Sequence, residues 1–185
     1  MIKVDQNLNS RVRKIPIWLG NVIEIIGISI AFYFLFLSLN FVSFKKLLFL
    51  LISWTCFWYF THCLAHYVVG KLFGIEFLYY YIGKSAILKL KIPIFKPFKL
   101  IPVLGLKTKP ESVKRISKKK VAIFYASGAL FSMFSPAITL LFATEFFVFL
   151  FLLILTLSNI FFTLIFSPKI GDFWKVKNIR TPEKS

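Results

Sequence analysis

Long apolar runs without ionised residues alternate with short polar segments along most of the chain. Four of these runs reach the roughly 20 residues that a helix needs to cross about 30 Å of hydrocarbon. The last three contain no Asp, Glu, Lys or Arg, and the first contains only Glu24. A helix buried in a soluble protein would show a polar stripe, which these runs lack. The pattern therefore predicts four transmembrane helices, at residues 17–42, 47–70, 121–144 and 146–168.

A different pattern occupies the segment between the second and third runs. β-Branched and aromatic residues are frequent over residues 76–108, and residues 87–92 alternate apolar side chains with Lys. That alternation is the period of a half-buried strand, and three nearby prolines exclude a long helix. We expect an all-α transmembrane fold, a four-helix membrane bundle with a small β insertion between helices 2 and 3, forming a single membrane domain over residues 1–185.

Charge patterning indicates how these helices are oriented. The sequence has 24 Lys and Arg residues against 7 Asp and Glu, which gives a net charge of +17. All the basic residues except Lys45 and Lys46 fall in the N-terminal segment, the basic loop at 71–120 or the C-terminal tail. Because an excess of Lys and Arg is typical of cytoplasmic segments, we predict a multi-pass protein of the cell membrane. Both termini and the basic loop, with its β insertion, then lie on the cytoplasmic side.

The same positive charge could serve nucleic-acid binding, which is the obvious competing interpretation. The basic residues, however, flank the apolar runs and match no nucleic-acid-binding motif. Attraction to anionic membrane lipids accounts for them, at about 1 kcal/mol per basic residue near the surface. We therefore predict membrane lipids and no nucleic acid as partners, while the sequence leaves the oligomeric state open.

The chain has two histidines, His62 and His66, and both lie in the predicted second helix. Side chains four residues apart project from one helix face, and two imidazoles at this spacing can ligate one metal ion. Polar residues inside a membrane usually face the bundle interior and have a role there. Taken alone, the two residues are more consistent with histidines that only pack between helices.

Residues 60–75 (FTHCLAHYVVGKLFGI) resemble the HExxH helix of the site-2 protease family, which are intramembrane zinc metalloproteases. Later segments resemble the rest of that family's core in the same order. They are a membrane-associated β segment with its turn, the third-motif helix and the Asp-Gly motif, at residues 74–83, 101–107, 118–132 and 167–174. Together the matching segments span about two-thirds of the chain.

The resemblance implies a set of metal ligands. His62, His66 and Asp172 would bind one zinc ion and leave one position open, which is the arrangement of a catalytic zinc site. The alternative for Asp172 is a solvated acid that neutralises Lys169 and Lys175.

Position 63 departs from the family's pattern. The general base of the family is the Glu that follows the first His, and this chain has Cys63 there. A thiol is a poor substitute for a carboxylate that must take up and return a proton near neutral pH, so we expect a buried, inert Cys63. Glu24 in the first helix is the candidate replacement, either as a base or as a partner of a histidine. The alternative is a protonated Glu24 hydrogen-bonded to its surroundings.

The sequence thus supports one leading hypothesis and two alternatives. The leading hypothesis is a site-2-protease-like, zinc-binding pseudoenzyme that lacks ordinary peptidase activity and binds a membrane partner, a transmembrane protein or peptide segment. The first alternative is an active intramembrane zinc metalloprotease, a hydrolase with a non-standard general base. The second is a metal-free structural membrane protein. The missing Glu favours the leading hypothesis over the first alternative.

Overall fold

The computed structural model describes residues 13–84 and 102–179. Four helical segments in it are long and apolar enough to cross a membrane, as the hydropathy predicts: Ile17–Asn40, Ser43–Leu72, Lys118–Phe142 and Phe146–Ile170. The strand expected at residues 87–92 lies outside the described residues.

The elements follow one another with short connections. In chain order they are β1 (Arg13–Ile15), α1 (Ile17–Leu37), a 3₁₀ turn (Ser38–Asn40), α2 (Ser43–Leu72), β2 (Phe77–Lys84), β3 (Pro102–Thr108), α3 (Pro110–Lys114), α4 (Lys118–Phe134), a 3₁₀ segment (Ser135–Phe142), α5 (Phe146–Ile170) and α6 (Asp172–Lys177). The third apolar span is therefore helical in two parts. Its α-helical part ends just before Pro136, whose ring removes a backbone donor.

One stripe of α1 packs against α2. The buried residues of α1 recur every three or four positions, which places them on one helix face; they are Gly20, Glu24, Gly27, Ala31 and Leu35. Gly27 lets the Phe60 ring lie directly against the backbone of α1, because a Cβ at this position would overlap the ring. The stripe therefore fixes α1 beside the helix that carries the two histidines.

The apolar core lies in one half of the bundle, towards the end formed by residues 38–42 and 143–145, which we call the hairpin end. Side chains of α1, α2, α5 and the connection before α5 meet there: Ala31, Leu35, Leu50, Trp54, Phe57, Ala143, Val148 and Leu152. The Trp54 indole N–H also donates to the Thr156 hydroxyl of α5 at 3.0 Å. This packing holds α5 against α2.

A three-stranded antiparallel sheet, in the order β1-β2-β3, lies at the opposite end of the bundle. We call this end, which also contains α6, the sheet end. The sequence did not predict β1, which precedes α1 directly and pairs Lys14 with Tyr81. The sheet is therefore more than an insertion between helices 2 and 3, because the segment before the first helix also contributes a strand.

Two side chains of α2 donate hydrogen bonds to the backbone of β3. The Tyr59 hydroxyl donates to the carbonyl of Pro102 at 2.7 Å, and the Cys63 thiol donates to the carbonyl of Leu104 at 3.0 Å. Four helical residues rise about 6 Å and two strand residues about 6.6 Å. The two periods match, so β3 runs alongside α2 next to the histidines.

Candidate metal centre

His62 and His66 of α2 meet Asp172, the first residue of α6. The Nε2 atom of each histidine lies 3.2 Å from Asp172 Oδ2. One donor atom from each of the three residues lies within 4.8 Å of the other two, so the group could hold a metal ion. His66 and Asp172 are buried, whereas the His62 side chain is 35% exposed. The structure thus brings together the three residues that the resemblance implies.

A break between α5 and α6 places Asp172 beside His62 and His66. Helix α5 ends at Ile170, and Gly171 adopts an extended backbone conformation that allows α6 to begin at Asp172. The Ser167 hydroxyl accepts the backbone N–H of Phe173 at 3.1 Å and so satisfies a donor in the first turn of α6. A side chain at Gly171 would overlap Ser167. The turn therefore directs the carboxylate of Asp172 back towards α2.

The hydrogen bond behind the ring of His66 determines which of its nitrogens carries the hydrogen. His66 Nδ1 lies 2.8 Å from the carbonyl oxygen of Phe124. A carbonyl only accepts hydrogen bonds, so Nδ1 carries the hydrogen and donates it. In the neutral ring Nε2 then bears a lone pair, and this lone pair faces Asp172.

The same assignment follows for His62. Its Nδ1 lies 3.3 Å from the Ser132 hydroxyl oxygen. Ser132 has one hydrogen and lies within hydrogen-bonding distance of the carbonyls of Gly128 and Ala129, at 3.0 and 3.1 Å. When that hydrogen is donated to the helix, Ser132 is left to accept a hydrogen bond from His62 Nδ1. The neutral His62 ring therefore also presents an unprotonated Nε2.

Three acceptors consequently converge at one point: the Nε2 atoms of His62 and His66 and one carboxylate oxygen of Asp172. We call this group the acceptor cluster. They repel one another unless a cation, or a proton on one of the ring Nε2 atoms, lies between them. Neutral imidazole and carboxylate are common zinc ligands, and metal-binding histidines usually donate their other N–H to a fixed acceptor. Donor atoms around a tetrahedral ion lie about 3.3 Å apart. A modest contraction from the present spacing would close the site, so the donor set fits a metal ion.

Small residues on α4 make room for the rings. A Cβ at Gly128 would overlap Nε2 of His66. Ser127, one position earlier, places its hydroxyl 3.4 Å from His66 Nδ1. Asn159 of α5 donates to the carbonyl of Ser132 at 3.0 Å and thereby connects a third helix to the site.

Cys63 takes no part in the acceptor cluster. Its thiol is buried and donates to the carbonyl of Leu104 in β3. Among the described residues, the group that could hold an ion contains His62, His66 and Asp172 but not Cys63. Position 63 therefore has a structural contact with the sheet.

Glu24 also lies outside that group of potential ligands. It is 1% exposed on the stripe of α1 that faces α2. Its Oε2 lies 3.0 Å from the Tyr80 hydroxyl, and the same hydroxyl lies 2.8 Å from Asn21 Oδ1. Sequence reasoning did not identify Tyr80 as a neighbour of Glu24. This contact connects α1 to β2.

Lys175 contacts the other oxygen of Asp172. Its Nζ lies 2.7 Å from Asp172 Oδ1, and it sits over the Tyr125 ring at 5.4 Å. Burial raises the pKa of Asp172, and the positive charge of the nearby Lys175 lowers it. The carboxylate is therefore paired with Lys175, as the alternative interpretation of Asp172 expected, yet it is buried and not solvated.

Comparison with protein-family models, with curated proteins and with solved structures finds no match for this chain.

Proposed function

We propose that this chain is an integral membrane, site-2-protease-like zinc-binding protein that lacks ordinary peptidase activity and binds a transmembrane partner segment. The observation that carries the proposal is the convergence of two imidazole nitrogens and one carboxylate oxygen at Asp172. Two histidines and an aspartate with one open position form a donor set that suits zinc.

The residues of the site would divide their roles as follows. His62, His66 and Asp172 hold one ion, while the Phe124 carbonyl and the Ser132 hydroxyl fix the two ring tautomers. A zinc ion supplies Lewis acidity at its open position when bound.

Hydrolysis additionally needs a group that moves a proton. The thiol at position 63 donates a hydrogen bond to the Leu104 carbonyl, and Glu24 accepts a hydrogen bond from the Tyr80 hydroxyl. Absence of a well-placed general base costs about 10²–10⁴-fold in rate. We therefore expect zinc binding without ordinary peptide-bond hydrolysis.

Charge supports the orientation of the protein in the membrane. In the described part of the chain, every basic residue except Lys45 and Lys46 belongs to the sheet end, and positive charge favours the cytoplasmic side. A cysteine introduced at Lys109 should react with a membrane-impermeant thiol reagent in inside-out vesicles and stay protected in intact cells. Labelling from the outside alone would contradict this orientation.

An apolar groove supports a transmembrane segment as the partner. The groove has a volume of about 540 Å³ and includes Thr61, the residue before His62. Its remaining lining comes from α1, α2, α4 and the 3₁₀ segment: Ile28, Phe32, Phe57, Leu130, Phe131, Phe134, Ser135 and Ile138. An apolar helix that entered from the bilayer would therefore lie next to the acceptor cluster.

Metal analysis of the purified full-length protein tests the proposal. We expect about one zinc ion per wild-type chain and less than a tenth of that in His66→Ala and Asp172→Asn, because each variant removes a ligand. Cys63→Ala is the matched control and should retain its zinc, since Cys63 is not a ligand. Equal metal content in wild type and His66→Ala would overturn the zinc site. Turnover of a transmembrane substrate that is lost in His62→Ala and on chelation would instead establish the active protease.

A further inference from the structure

A lysine shares the carboxylate of the candidate metal ligand. Oδ2 of Asp172 faces the two histidine nitrogens at 3.2 Å, while Oδ1 accepts a hydrogen bond from Lys175 Nζ at 2.7 Å. The bond to the ammonium is the shorter one and is assisted by charge on both partners. Asp172 is thus already engaged by a cation on the side away from the histidines.

Helix α6 builds this ion pair into the site. Residues three positions apart are neighbours on a helix surface, so Lys175 reaches Asp172 wherever α6 is formed. The Tyr125 ring of α4 lies beneath the ammonium, 5.4 Å from its nitrogen, and the electron-rich face of an aromatic ring attracts a cation. Two contacts therefore hold the ammonium at the cluster, although the lysine side chain is 48% exposed.

We propose that Lys175 is a resident counter-cation that lowers the affinity of the site for its metal ion and keeps Asp172 paired when no ion is bound. This inference rests on the metal site of the proposed function. An ion bound to Oδ2 at about 2 Å would lie within about 6 Å of the ammonium, where two positive charges repel. The lysine also occupies Oδ1, which leaves one oxygen of Asp172 for the ion. Both effects weaken binding relative to the same ligands without a lysine.

The expected result is a site that exchanges its ion readily. In the metal-free protein the ammonium neutralises the carboxylate, so α6 stays docked on α4 without the ion. Metal occupancy then follows the free metal concentration, and loss of the ion does not require the fold to open.

Substitution of Lys175 tests this proposal through the sign of the affinity change. Lys175→Met keeps most of the side-chain length and removes the charge, so its dissociation constant for Zn²⁺ should fall at least tenfold. Lys175→Arg keeps the charge and should stay within threefold of wild type. Lys177→Met removes an exposed lysine from the same helix and is the matched control. The affinities come from competition with a chromophoric chelator, using the full-length protein in detergent.

The Co²⁺ absorption spectrum provides a check on geometry, because an intact tetrahedral set gives the same band positions in wild type and variant. Equal or weaker Zn²⁺ binding by Lys175→Met would overturn the counter-cation. Lys175→Gln provides the same comparison if the Met variant does not fold. If wild type and Lys175→Met both bound no more Zn²⁺ than His66→Ala, the metal site itself would be overturned. A wild-type protein that binds Zn²⁺ with the same affinity as Lys175→Met would overturn only the role of the lysine.

Discussion

The two ends of the bundle each join distant segments through polar side chains, but the hydrogen-bond donors and acceptors are arranged differently at the two ends. At the hairpin end the backbone N–H of Ser43 donates to Glu145 at 2.7 Å, and the Lys46 ammonium donates to the Thr144 hydroxyl at 2.6 Å. Each of these two donors meets an acceptor. At the sheet end three acceptors face one another, and the N–H donors of the rings point away from the centre. The first arrangement pairs donors with acceptors, whereas the second could hold a cation.

The largest expected effect comes from disturbing the packing that holds the acceptor cluster. Gly128→Ala introduces a methyl group into the space of the His66 ring, so the ring must turn or α4 must shift. We expect a loss of zinc affinity of about 10–100-fold, the range for residues that orient a ligand. Competition titration of the full-length protein measures it.

Gly20→Ala is the matched control for this variant. Its added methyl group would overlap the Tyr80 ring instead, so it should reduce stability and leave zinc affinity within threefold. Wild-type affinity in Gly128→Ala would show that the close approach of α4 does not position His66.

The donor–acceptor pairs of the hairpin end should affect stability alone. Thr144→Val leaves the ammonium of Lys46, which is 5% exposed, without its acceptor. We expect a loss of about 1–3 kcal/mol in the free energy of unfolding with unchanged zinc content, measured by denaturant titration in mixed micelles. Thr55→Val is the control, because the exposed Thr55 hydroxyl bonds only to its own helix. Loss of zinc in Thr144→Val would show that the two ends are coupled.

A smaller effect is expected at position 63, between the cluster and the sheet. Cys63→Ala removes the thiol donor from the Leu104 carbonyl and should lower the free energy of unfolding by about 1 kcal/mol. Cys63→Ser keeps a donor at nearly the same place and should be closer to wild type in the same titration. A variant that lost stability equally with Ser and with Ala would indicate that packing, and not this hydrogen bond, matters.

The smallest effect belongs to an exposed ion pair of the sheet end. Lys109 Nζ donates to Glu76 Oε2 at 2.8 Å, and this hydrogen bond with its charge lowers the pKa of Glu76 below the ordinary value of 4.5. Because the folded pKa is the lower one, the pair stabilises the protein above that ordinary value, and the contribution is lost as the pH falls through the folded pKa. Exposed pairs contribute little. Between about pH 6 and about pH 3, the Tm of wild type should therefore fall only slightly more than that of Glu76→Gln. An equal fall in both proteins would show that the ion pair does not contribute to stability.

Local patterns were sufficient for the long helices, because length and apolarity decide whether a segment can span a membrane. The spacing of His62 and His66 likewise places both rings on one face, and the resemblance to the site-2 protease family implied Asp172 as their neighbour. The strand β1 could not be predicted, since three residues show no period and their pairing with β2 is a tertiary contact. The donor state of His66 depends on a backbone carbonyl, that of Phe124, which has no signature in the sequence. The i,i+3 spacing of Asp172 and Lys175 is visible in the sequence, but the burial of Asp172 follows from docking of α6.

The contact of β3 with α2 has a consequence for how the sheet can grow. An edge strand offers unpaired carbonyl and N–H groups that can recruit a strand from another molecule, which is a route to aggregation. Here the carbonyls of Pro102 and Leu104 already accept hydrogen bonds from the Tyr59 hydroxyl and the Cys63 thiol. An incoming strand would have to break both bonds before it could form its own at these positions. Among the described strands, the helix therefore protects this edge in the way that lysines or bulges protect the edges of other sheets, and two side chains of the histidine helix oppose the addition of a strand on that side.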